Sequence, residues 1–116
     1  MPNLLIVDSD LEVGDATRDM LRLKGHEVAT TRSIADALAL VARQRFDVIF
    51  TNLNTPGRQG ASFVSAARAL QPGVALVSTT GASTRFDGDE FDALLPKPFS
   101  LDEVEAAIRL VLERKR

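Results

Sequence analysis

The chain has no cysteine, no tryptophan and no tyrosine. Without thiols, disulfides, zinc-thiolate centres and thiol nucleophiles are excluded together. With six phenylalanines as its only aromatic residues, the chain is poorly supplied with stacking platforms for single-stranded nucleic acid. A dominant charge is lacking too. Fourteen basic against sixteen acidic side chains leave a formal net charge of −2, which provides no electrostatic footprint for nucleic acid or an anionic membrane. No apolar run approaches membrane-spanning length, and no basic segment precedes the first apolar residues. The expectation is a cytoplasmic protein whose partners are other proteins, without direct contact to nucleic acid or membrane. No helix-turn-helix pattern is read, so any transcriptional output is expected from another segment or a partner.

What is present is ordinary globular material. With 116 residues, 45% hydrophobic and 26% charged, the chain is expected to form one domain over residues 1–116. Residues 4–7, Leu-Leu-Ile-Val, form an unbroken apolar run of the kind that is buried on both faces of a parallel sheet. Further strands are expected at 26–31, 48–51, 74–78 and 93–95. Between them apolar residues recur at helical spacing. The first stripe is Val13, Ala16, Met20 and Leu21, closed by Gly25, and the second is Ile34, Ala37, Leu38 and Val41, capped by Ser33. The third, from Gly60 onward, is Ala61, Val64, Ala67 and Leu70, closed by Pro72-Gly73. Ser100 and Glu103 form a capping box for a last helix carrying Leu101, Val104, Ile108 and Val111. Its basic end, Arg114, Lys115 and Arg116, complements the helix dipole and reads as a solvated terminus. Residues 81–92 lack a helical pattern, being interrupted by Gly88 and several aspartates. Alternation of this kind predicts an α/β fold, a doubly wound five-stranded parallel sheet with helices on both faces.

In such sheets ligands bind beyond the carboxyl ends of the strands. Four strand ends carry polar groups there. Asp8, Ser9 and Asp10 follow the first; Asn52 and Asn54 the third; Ser78, Thr79 and Thr80 the fourth; and Lys97, held between Pro96 and Pro98, the fifth. A carboxylate, amides, hydroxyls and an ammonium thus share one rim.

These residues carry a resemblance to the receiver domains of two-component response regulators. Its motifs are Leu4-Leu5-Ile6-Val7-Asp8, the run from Asp47 to Gly57 with Gly60, the pair Thr80-Gly81, and Lys97-Pro98-Phe99. They extend over nearly the whole chain. The resemblance implies a flavodoxin-like fold and a place in a phosphorelay, in which a histidine kinase donates phosphate to an Asp at the end of the third strand. Mg²⁺ is held there by that Asp and an acidic pair after the first strand. Position by position, Asp8 matches the first of the pair, Ser9 stands in the second, and Asn52 stands at the phosphoacceptor. Thr80 matches the hydroxyl that senses phosphate and Lys97 the lysine that grips it.

Two of three carboxylates are therefore missing. Mg²⁺ is a hard cation that seeks anionic oxygen, so Asp8 alone is expected to hold it weakly or not at all. An amide oxygen is a poor nucleophile toward phosphorus, and Asn52 is expected not to accept phosphate. No other cofactor is expected. Asp10 is either a substitute metal ligand or an acid favourable to the start of a helix. Asp8, Asn52 and Lys97 are either a residual ligand site or a polar network that satisfies buried groups. Two further departures accompany the loss. Only 17 positions separate Thr80 from Lys97, which shortens the fourth helix of the pattern, and Leu94 stands where the family often has a rotating aromatic.

Phe86 and Phe91, interleaved with acids, read as a loop whose rings enter the core or as a docking strip. His26 has no Cys or acid cluster about it and reads as a surface residue. The leading expectation is a non-enzymatic receiver-like domain, a pseudo-receiver. It acts through contacts with a histidine kinase, an output domain or an adaptor, and possible self-association as a homodimer belongs to the same expectation. The alternative is a working receiver, rescued by Asp10 or with Asn52 an engineered replacement for Asp; Ser9 argues against a single designed change. A remote third reading, a small flavin or nucleotide binder, lacks a glycine-rich phosphate loop.

Overall fold

The structure is a computed structural model that describes residues 3–8, 11–52, 58–79, 92–95 and 99–114. Its elements run β1 (Asn3–Asp8), α1 (Leu11–Leu23), β2 (Glu27–Thr31), α2 (Ile34–Arg43), β3 (Val48–Asn52), α3 (Arg58–Leu70), β4 (Ala75–Ser78), β5 (Ala93–Leu94) and α4 (Leu101–Arg114). All paired strands are parallel, in the order β2-β1-β3-β4-β5. The sheet rests on four strands of four to six residues, while β5 adds two residues at its edge.

The apolar runs do not alternate in polarity because each face of the sheet has its own core. Leu4 and Ile6, Val48 and Phe50, Ala75 and Val77 pack with Leu21 of α1 and Val104, Ile108 and Val111 of α4. The intervening residues Leu5, Val7, Ile49 and Leu76 pack with Ala37 and Val41 of α2 and Phe63, Val64 and Ala67 of α3. Within these runs, side chains that alternate faces along a strand are thus apolar on both faces. Each fully buried Leu, Ile or Val contributes about 1.5–3 kcal/mol relative to exposure.

Local chemistry sets the element ends. Ser33 Oγ accepts from Asp36 N at 3.1 Å and caps α2. At α4, Ser100 N donates to Glu103 Oε1 at 3.0 Å and Glu103 N to Ser100 Oγ at 3.1 Å, both halves of the expected capping box. Gly25 closes α1 at φ 92°, with its N–H on Arg22 O and His26 N–H on Leu21 O, the paired bonds of a Schellman end.

Some expectations need correction. Among the described side chains of α1 the buried residues are Gly14, Thr17 and Leu21, whereas Ala16 is exposed; positions 14 and 21, seven apart, stand two helical turns from each other. In α3, Leu70 is 49% exposed. That end of the helix is closed instead by Gln71, whose Nε2 donates to Val41 O and Gln44 O while Oε1 accepts from Phe46 N. His26 is not on the surface, since its side chain is only 9% exposed and meets Glu105 of α4.

Asp92 fastens the sheet edge. Its Oδ2 accepts from Leu76 N at 2.8 Å and lies 3.3 Å from Arg68 Nη2 of α3. Arg114 Nη1 donates to its carbonyl at 3.1 Å, so the basic end of α4 is tied down at that residue and is not merely solvated. Lys115, Arg116 and the expected loop over 81–91 lie outside the described residues.

Candidate functional site

Strands β1 and β3 lie side by side, and their register makes Asp8 and Asn52 Cα partners at the carboxyl end of the sheet. Each of the two positions ends an apolar strand, and parallel pairing brings them together. Asp8 is 4% exposed. It follows Leu4 and Ile6 in the two-residue period and so lies on the face covered by α1 and α4. The helix start comes close to it. A Cβ built on Gly14, in the first turns of α1, would stand 3.5 Å from Asp8 Cβ and 4.0 Å from Ile6 Cγ2. The amino end of a helix carries positive partial charge, an environment that suits a buried carboxylate.

The next strand extends the rim. Thr51 pairs with Ser78 in the register of β3 and β4, and Thr79 N donates to Thr51 O at 2.9 Å. Ser78 and Thr79 are 1% and 4% exposed, so hydroxyl-bearing residues are buried beside the Asp8–Asn52 level. Thr51 is buried as well, and its Oγ1 has no hydrogen-bond partner among the described residues. Ser9, Asp10, Asn54, Thr80 and Lys97 lie outside the described residues. Of the expected site, the structure therefore brings together Asp8 and Asn52, with Thr79 one step further across the sheet.

On its other side Asp8 lines a cavity of about 260 Å³ with Gly14, Asp15, Thr30, Thr31, Arg32 and Asp36. Asp15 is paired there with Arg18 at 3.2 Å. The strand-end rule applies equally to β2, whose end supplies Thr30, Thr31 and Arg32 to this cavity. Among the described residues no three His, Asp or Glu side chains converge as a metal-binding group, and no helix is long and apolar enough to cross a membrane.

Residues 4–109 match the family model described as the response regulator receiver domain. The transcriptional regulatory protein PrrA of Mycobacterium tuberculosis is 36% identical over 119 residues, an alignment covering 98% of this chain and 51% of that protein. A response regulator receiver protein of an Anaeromyxobacter species is 32% identical over 111 residues, covering 90% of this chain and 46% of its own length. The chain thus spans about half the length of these relatives. Among solved structures, the chemotaxis protein CheY4 of Vibrio cholerae superposes with a TM-score of 0.85 at 27% identity, covering 97% of this chain and 99% of that one. A CheY-like receiver domain protein from Methanospirillum hungatei superposes equally well, TM-score 0.85, at 23% identity over 99% and 96% of the two chains; at that identity the likeness is one of fold.

Proposed function

Because this chain belongs to the response regulator receiver domain family, we propose that it is a phosphorylation-independent receiver, a signalling module that works through protein contacts without accepting phosphate at residue 52. The observation that carries this reading is the pairing of Asp8 with Asn52 across β1 and β3. The strand end where the family's acceptor carboxylate belongs presents an amide. Its oxygen carries no net charge, and attack on phosphorus would place positive charge on the group.

The metal that the family implies fits this donor set poorly. Mg²⁺ takes near-octahedral oxygen ligands, commonly including one or two carboxylates. Here Asp8 supplies one, and Ser9 and Asn52 replace the others with neutral oxygens. The proposed partners are a histidine kinase, an output domain or an adaptor that recognises receiver shape.

Intact mass after incubation with a small phosphodonor and Mg²⁺, with an Asn52→Asp variant alongside, tests the proposal. The expected result is no adduct on the unaltered chain. A phosphate adduct on it would overturn the reading and point to another acceptor such as Asp10. An adduct on the variant alone would make residue 52 the single lock, whereas none on either would mean that the metal site is lost as well.

A further inference from the structure

Asp92 stands just before β5, the edge strand of the sheet, and that strand pairs with β4 over two residues, Ala93 with Val77 and Leu94 with Ser78. A ladder that short makes few of the cross-strand contacts from which a sheet draws its stability. Asp92 adds what the ladder lacks. Its N–H donates to Leu76 O at 2.7 Å and its Oδ2 accepts from Leu76 N at 2.8 Å, so one residue of β4 has both backbone groups held by it. At the far end of the strand Leu95 N donates to Ser78 O at 2.7 Å.

The same residue is reached from both faces of the sheet. Arg68 lies in the last turn of α3, next to Ala67 in the core on one face, and its Nη2 donates to Asp92 Oδ2 at 3.3 Å. Arg114 ends α4, three positions after Val111 in the core on the other face, and its Nη1 donates to Asp92 O at 3.1 Å. The side chains of Arg68 and Asp92 are 31% and 19% exposed. The pair is thus partly withdrawn from solvent, where an ionic hydrogen bond is screened less than on an open surface. Between α3 and α4 the direct route is blocked by the sheet itself; around its edge the two helix ends meet at Asp92.

We propose that Asp92 is a coupling pin at this edge: it joins the last turn of α3 to the last turn of α4, so that the two ends loosen together although their helices pack on opposite faces. Native proteins open locally in contiguous cooperative units, and the pin decides that these two turns and the β4–β5 edge belong to one such unit.

Native-state hydrogen exchange of the whole chain, followed by NMR, tests this with Arg68→Gln, Asp92→Ala and the two combined. Arg68→Gln alters α3 alone, yet it should speed exchange of the amides of residues 111–114 in α4 by about fivefold, the factor that corresponds to the loss of one hydrogen bond, while α1 keeps its wild-type rates. Asp92→Ala should speed the same amides at least as much. Adding Arg68→Gln to it should bring no further change, because the route between the helix ends is already cut. The proposal is overturned if Arg68→Gln leaves the end of α4 at its wild-type rate, or if the acceleration spreads equally to α1. It is overturned as well if Arg68→Gln has its full effect on α4 in the Asp92→Ala background. Should Asp92→Ala fail to fold, the rates in Arg68→Gln decide the matter alone.

Discussion

Thr51 shows how a single side chain records a cost at the rim. It stands one residue before Asn52, is 2% exposed, and buries Oγ1 with no partner among the described residues. An unmatched buried hydroxyl costs about 1–3 kcal/mol, whereas an apolar group of the same shape does not incur that penalty. Thr51→Val is therefore expected to stabilise the protein by about 1 kcal/mol, read as a higher urea midpoint with an unchanged slope. A lower midpoint would mean that the hydroxyl has a partner after all. The sequence pattern conveyed only part of this scale. Asp8 and Asn52 were legible because each ends an apolar run. The environments of Thr51 and His26 were not, because they depend on residues that are close in space and distant in sequence.

At the scale of elements, caps were legible and inner faces less so. Gly25, Ser33 and Ser100 close or open helices where their short-range chemistry says they should, since a cap needs only neighbours within a few positions. The inward stripes of α1 and α3 were read less well. Thr17 replaces Ala16, and Gln71 closes the seam in place of Leu70, because the sheet and the neighbouring helix select which side is buried. Ser100→Ala removes the hydroxyl that accepts from Glu103 N and should cost about 0.5–2 kcal/mol, measured by thermal or urea unfolding. Gly14→Ala should act in the opposite direction. The added Cβ meets Asp8 Cβ at 3.5 Å, an ordinary contact, and helix propensity favours Ala by about 1 kcal/mol. A fall in stability with that variant would show that α1 cannot accept a methyl group against Asp8.

For the molecule as a whole, one sheet separates two cores that share no helix. Ile49 lies in the core under α2 and α3, and Ile108 in the core between the sheet and α4. Ile49→Val and Ile108→Val should each cost about 0.5–1.5 kcal/mol. Lacking shared partners, they should add to within about 0.3–0.5 kcal/mol in the double variant, which urea unfolding of the four proteins measures. A larger deviation would reveal strain passed through the sheet. The doubly wound parallel architecture was the most legible feature of all, because unbroken apolar strands require helices on both faces; β5, at two residues, carried the faintest signal.

The strand order has a further consequence. Starting from β1, the chain first builds outward to β2 and then crosses back to lay down β3 on the other side of β1. The helices that follow β1 and β3 therefore pack on opposite faces of the sheet, which makes the space beyond these two strands a reversal point of the winding. That reversal is a property of the strand order and does not depend on which side chains stand there. A carboxylate or an amide at residue 52 changes the chemistry at the strand end and leaves the order of the strands as it is. A module of this kind can part with a reaction and still offer a shape to be gripped.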